Sequence, residues 1–219
     1  QQDIDAVGAR DFTDLHEDAL VAQFRRQLRR RFLEDRDAEF AQRGLAQLAL
    51  VADGQSADPV ALRQFVQAAA QDASLSTLHR LVEVARAREA QAPSAADGEE
   101  WRAARGVIHL ALATRGSRLG VYDLRESLAQ AVLPLSGDFV SALRLVGDAT
   151  CLEPIVAAIA GMPIDIETRD HRIHDGLVDA GRAIVTRGGL TRRHAAVKKI
   201  LKTWPDAGAL LLAPPRPGV

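Results

Sequence analysis

The sequence predicts an all-α protein of about ten helices arranged in stacked pairs, and three observations predict it. Hydrophobic residues make up 47% of the chain but aromatic residues only 4%, so the core is built from Ala, Leu and Val. Such small side chains suit close helix-on-helix packing better than a sheet. Alternating β-branched runs bounded by Asn-Gly or Asp-Gly turns are missing, which removes the hairpin signal. Apolar helix ends recur instead: Leu48-Ala-Leu-Val51, Leu81-Val-Glu-Val84, Leu110-Ala-Leu-Ala113, Leu143-Arg-Leu-Val146 and Ala183-Ile-Val-Thr186. Their spacing of roughly 30 to 40 residues is that of helix pairs, each carrying an apolar stripe that only a neighbouring pair can bury.

The elements follow in order. Thr13 and Asp14 are cap candidates for a helix reaching about Leu33, with Leu20, Phe24, Leu28 and Phe32 on one face and Arg25, Arg26, Arg29 and Arg30 opposite. A second helix covers about Ala38 to Val51, with Phe40, Leu45 and Leu48 inward. Asp58-Pro59 is a cap followed by proline at the first helical position, opening a helix that carries Leu62, Phe65, Val66 and Ala69. Ser74 or Ser76 starts the next, with Leu78, Leu81, Val82 and Ala85 apolar. The small-residue stretch 90–98 is the best internal boundary, after which Asp97 and Glu100 form a capping box for a helix carrying Trp101, Ala104, Val107, Ile108 and Ala111. Arg115-Gly116 ends it, Tyr122–Leu128 lies on the following helix, and Pro134 closes that one. Ser136 caps a helix reaching Gly147, and Asp148 starts one reaching Gly161. After Met162-Pro163, a helix carries Ile173, Leu177, Ala180 and Ile184 to Gly188-Gly189. Thr191 caps the last helix, Arg192 to about Trp204, before Pro205, and the Pro-rich tail 213–219 reads as extended or disordered. Residues 1–212 therefore read as a single helical-repeat domain.

The corner Leu143-Arg-Leu-Val-Gly-Asp-Ala-Thr-Cys-Leu-Glu-Pro154 carries the most specific wording. Gly147 is expected in the left-handed conformation that closes a helix, and Asp148 is expected to cap the next. An apolar helix end, Gly-Asp, a short spacer and Glu-Pro resembles the phycobilisome-lyase-type HEAT-like repeat. The resemblance is strongest over 139–161 and extends to 38–70; elsewhere Arg115-Gly116 and Arg187-Gly188 stand where Gly-Asp would. It implies an α-solenoid, a HEAT-like superhelix of antiparallel helix pairs. An irregular helical bundle is the alternative.

Charge narrows the function. With 28 basic and 29 acidic residues the net charge is −1, so no global field recruits nucleic acid or an anionic membrane. No stretch approaches the roughly 20 apolar residues that span a bilayer. The single Cys151 allows neither an internal disulfide nor a CxxC site, and it reads as a buried, inert thiol. A cytoplasmic location is the expectation, although the chain starts at Gln1 and a removed leader stays open.

The chemistry-bearing residues give no catalytic constellation. His109 lies within an apolar helix and reads as a buried histidine with a backbone or carboxylate partner. His171 and His174 share a helix face beside Asp170 and Asp175, but without HExxH order and with two arginines they read as a solvated helix start. Gly188-Gly189 reads as an inter-helix turn, and the carboxylate pairs Glu99/Glu100 and Asp165/Glu167 lack a partner histidine. No cofactor or metal is expected. Two basic stretches, Arg25, Arg26, Arg29 and Arg30, and Arg192, Lys198, Lys199 and Lys202, are the only candidate surface for an anionic partner.

These readings lead to a non-catalytic scaffold that binds another protein through an extended surface. Two alternatives come from the resemblance: a nucleic-acid-processing protein similar to the HEAT-like DNA glycosylases, and a bilin-lyase-type repeat protein. Trp101, Tyr122 and Trp204 are too few and scattered for a glycosylase pocket, and nucleic acid is not expected as a partner.

Overall fold

The computed structural model describes residues 37–130, 135–162 and 169–213, with side chains from 172 onward in the last stretch. Contacts divide the chain into Gln1–Arg43 and Gly44–Val219. Within the first unit, 37–43 is helical, with an Arg43–Glu39 ion pair at 2.5 Å. Phe40, expected inward, keeps 41% of its surface exposed. The helix expected over 13–33, with Arg25, Arg26, Arg29 and Arg30, lies outside the described residues, as does the tail beyond 213.

Among the described residues the structure is all-α, with ten helices, one 3-10 turn and no strand. Residues 37–52 are helical (α1). There follow α2 (Pro59–Ala69), α3 (Leu75–Ala90), α4 (Ala95–Thr114), α5 (Val121–Gln130) and α6 (Gly137–Val146). A 3-10 turn (Ala149–Cys151) leads into α7 (Leu152–Gly161), then α8 (Arg169–Arg187), α9 (Ala195–Thr203) and α10 (Pro205–Leu212).

Side-chain oxygens set most helix starts. Asp58 accepts from Ala61 N at 2.8 Å with Pro59 behind it, Ser74 from Thr77 N at 2.9 Å, and Ser136 from Phe139 N at 3.3 Å. Three boundaries differ from the sequence reading. The cap of α4 is Ser94, one turn earlier than the capping box expected of Asp97 with Glu100. Ser94 Oγ accepts from Asp97 N at 3.1 Å and donates to the Asp97 carboxylate at 2.6 Å, so only 91–94 separates α3 from α4. The helix expected from Arg192 begins at Ala195, because the Thr191 hydroxyl holds 191–194 in a turn and His194 caps through Nδ1. Pro205 does not end the fold. The chain breaks at Trp204 and Pro205 opens a further helix from its first position, where a missing N–H costs least.

Helix contacts define two layers. The even-numbered helices α2, α4, α6, α8 and α10 each pack on the next; α5, α7 and α9 form the other row. The direction of the even row can be read from its bonds. Arg63 near the start of α2 meets Glu100 near the start of α4 at 2.6 Å, while Arg115 just past α4 donates to the carbonyls of Ala70 and Ala73 just past α2. The two helices are therefore parallel. Glu89 at the end of α3 meets Arg102 early in α4, so that consecutive pair is antiparallel. Two apolar clusters result, one built from residues 45–52 with α2 to α4 around Leu62, Leu81 and Ile108, the other from α5 to α10 around Phe139, Leu152 and Leu177. At 25 cal/mol per Å² of apolar surface, each fully buried Leu contributes about 2 kcal/mol, which makes this stacking the main stabilising term.

The 147–148 corner keeps its residues and changes its reason. Gly147 sits at φ −54°, ψ 152°, not in the left-handed region. A Cβ there would lie 2.5 Å from Leu143 O and 2.8 Å from Ile184 Cδ1, so glycine is needed for the close approach of α8 to the end of α6. Left-handed closure occurs instead at Gly116 (φ 70°) and Gly189 (φ 57°), within plain inter-helix turns. Asp148 caps as expected, accepting from Thr150 N at 3.0 Å and opening the 3-10 turn that feeds α7.

Candidate functional site

The row formed by α5, α7 and α9 carries an open groove of about 1080 Å³. Its floor is α7, through Pro154, Ala157, Ala158 and Gly161, which recur at helical spacing on one face. The opposite face of α7 holds Ile155, Val156 and Ile159 in the core, so beyond Glu153 in its first turn this helix is apolar on both faces, a pattern usual for helices covered on both sides. One wall is α5 with Tyr122, Arg125, Glu126 and Ala129, spaced i, i+3, i+4 and i+7. The other is α9 with His194, Ala195, Ala196 and Lys199, closed by Trp204.

The groove thus gathers the chain's single tyrosine and one of its two tryptophans. Tyr122 is 62% exposed, and the Arg125 guanidinium stacks on its ring 4.9 Å from the centroid. Glu153 pairs with Lys199 at 2.6 Å and Glu126 with Arg86 at 2.9 Å, both solvent-facing contacts of small energetic weight.

A second polar constellation is buried. His109 Nε2 lies 2.6 Å from Asp123 Oδ2, and Asp123 also accepts from Arg105 Nη1 at 3.1 Å and Arg86 Nη1 at 3.1 Å. Arg105 reaches Ser127 Oγ at 2.7 Å and Glu89 Oε2 at 2.8 Å. His109 and Arg105 are 1% and 6% exposed. Burial pushes the His109 pKa below its usual value, against the raising effect of Asp123. The Asp123 carboxyl is held below the usual carboxylate range: burial opposes ionisation, and the hydrogen bond from His109 and the charge of Arg105 outweigh it. The other ring nitrogen, Nδ1, has no hydrogen-bond partner and lies against Gly120, where a Cβ would come within 2.5 Å. A neutral ring donating through Nε2 fits this site. Among the described residues His109 Nδ1 has no partner and the other partners of Asp123 are arginines, so the pair reads as a brace joining α4 to α5.

The remaining expected residues can now be placed. His109 has the carboxylate partner expected of it, and Cys151 is fully buried with its thiol pKa raised by burial. Lys198, Lys199, Lys202 and Arg192 are exposed, and Lys199 alone of these lines the groove. His174 is 3.3 Å from Asp175 through Nδ1, while the His171 side chain lies outside the described residues. Among the described residues no group of three His, Cys, Asp or Glu side chains could hold a metal ion, and no helix is long and apolar enough to cross a membrane. The groove itself escaped the sequence reading, because its floor is alanine, which reads equally as core or as a good helix former. The available signal was the second apolar face of α7, beside an aromatic at the outward positions of α5. Comparison with protein-family models, curated proteins and solved structures returned no match.

Proposed function

We propose that this chain is a non-catalytic, HEAT-like helical-repeat scaffold that binds a segment of another protein along the groove over α5, α7 and α9. The observation that carries the reading is the groove's composition. Tyr122, Trp204 and Arg125 surround an apolar floor, and Tyr, Trp and Arg are the residue types enriched at the energetic centres of protein interfaces. Parallel ridges from three adjacent helices offer the channel into which an amphipathic segment lays its apolar side. The nucleic-acid alternative is disfavoured because the chain's net charge is −1 and the floor of the groove is apolar, where a nucleic-acid track needs a continuous run of cations. The bilin-lyase alternative gains no residue from the groove. We place the interaction in the cytoplasm, where the free thiol of Cys151 stays reduced.

Site-specific photo-crosslinking tests the reading. A benzophenone side chain replacing Ala158 on the floor of the groove should trap a discrete protein from the native extract, while the same side chain at the exposed Ala87 on α3 should not. The same pattern of adducts from both positions, or none from Ala158, contradicts it.

A further inference from the structure

Resting on that reading, we propose that the segment held in the groove is an acidic amphipathic helix of the partner, its apolar side on α7 and its carboxylates on the cations of the rim. Charge decides the chemistry. The acids of the groove already have partners, Glu126 in Arg86 and Glu153 in Lys199. The cations around them are in excess. Arg125, Lys198 and Lys202 make no ion pair among the described residues, and Arg125 is held only by stacking on Tyr122. Lys202 lies seven residues on from Ala195 and three from Lys199, so at 100° per residue it stands on the groove side of α9, with Lys198 flanking it. The uncompensated charge is therefore positive at Arg125 on one wall and at Lys202 and Lys198 on the rim beyond the other, while the floor between them is apolar.

Shape decides the conformation. Neighbouring helices in a packed row sit about 8–10 Å apart, so α5 and α9, each packed on α7, stand about 16–20 Å from one another. With each wall about 10 Å across including side chains, the gap between them is about 6–10 Å, so a single helix lies along the top of the groove with one face lowered between the walls towards α7. Ala157, Ala158 and Gly161 let a backbone come close, and Tyr122 and Trp204 flank it with apolar area. Carboxylates at the edges of such a helix then meet Arg125 on one side and Lys202 on the other. Exposed charges of this kind steer association and select the partner more than they add affinity.

Fluorescence anisotropy with the full chain and three labelled probes tests this. The first is a helix-forming peptide of about 18 residues, roughly five turns, with Leu at i, i+3, i+4 and i+7 and Glu on both flanks. The second carries Lys in place of Glu, and the third is a single-stranded oligonucleotide of similar charge. The acidic peptide should bind at least about tenfold more tightly than either other probe, the scale of one effective charge pair. Tyr122→Ala should weaken it about tenfold. The double substitution Arg125→Glu and Lys202→Glu should reverse the preference towards the basic peptide, whereas Arg88→Glu on α3 should leave binding unchanged. Equal binding of both peptides, tighter binding of the basic peptide or the oligonucleotide, no binding of the acidic peptide, or indifference to the double substitution overturns the acidic-helix proposal. The photo-crosslink at Ala158 separates the two failures: an adduct there without an acidic preference leaves the groove standing with a different occupant.

Discussion

At the scale of single residues, the corner at 147–148 and the brace at His109 carry the sharpest expectations. Removing the Asp148 cap by Asp148→Ala should cost about 0.5–2 kcal/mol, measured by chemical denaturation. Gly147→Ala should cost at least as much, since the added methyl meets the backbone oxygen of Leu143, which cannot rotate away. Melting like the parent would remove the close-approach explanation. Asp123 holds two arginines and a histidine; on Asp123→Ala the arginines keep Glu89 and Glu126 but the buried His109 loses its partner, so the change should cost about 1–3 kcal/mol. The pH dependence follows from the same site. The folded state favours neutral His109, so the unfolded chain takes up this proton first, and stability falls as pH drops below about 6.5. The folded state also favours ionised Asp123, whose contribution disappears below the ordinary carboxyl value of 3.8. Both effects have the same sign: acid destabilises. His109→Gln, which keeps a donor for Asp123 without titrating, should flatten the decline in melting temperature between about pH 6.5 and 5. An unchanged slope would show that the titration lies elsewhere. The sequence made the histidine and the type of its partner legible, since a polar ring in an apolar helix needs one. Arg105 was not legible, because its partners lie on α3 and α5, out of reach of any local pattern.

At the scale of elements, the two places where the repeat wording changes turn out to share a task. Arg115 donates to the carbonyls of Ala70 and Ala73 beyond α2, and Arg187 to those of Arg144 and Gly147 at the end of α6. Each arginine leaves the end of one even helix and satisfies the orphan carbonyls of the parallel helix before it, where a cation also suits the negative end of the dipole. Arg115→Ala should cost about 1–2 kcal/mol, in the range of hydrogen bonds to charged groups and reduced by partial exposure. Arg115→Lys should recover less than half, because both bonds leave Nη1 at the far tip of the guanidinium, one bond beyond the reach of a lysine ammonium. Full recovery would reduce the role to charge alone. Helix existence was legible through periodicity and caps, and the even row follows from it. The ends were less so: Ser94 capped α4 one turn early, and Pro205 signalled a start as readily as a stop.

At the scale of the whole molecule, residues 44–219 bury two apolar clusters, and the polar brace of Arg86, Arg105, His109 and Asp123 ties α3 and α4 to α5 where one cluster gives way to the other. Apolar residues in helix pairs made the stacking legible from sequence. The groove was not, because it exists only once α5, α7 and α9 stand side by side, bringing together Tyr122, Ala158 and Trp204 from positions far apart in the chain. The central claim is that α7, apolar on both faces, is covered on one by the core and on the other by a partner. Hydrogen–deuterium exchange on the free chain and on the complex trapped at Ala158 tests it most directly. Protection gained over 122–129, 152–161 and 195–204, with α2 and α3 unchanged, is the result expected. Protection confined to α2 and α3, with α7 exchanging as in the free chain, would contradict it.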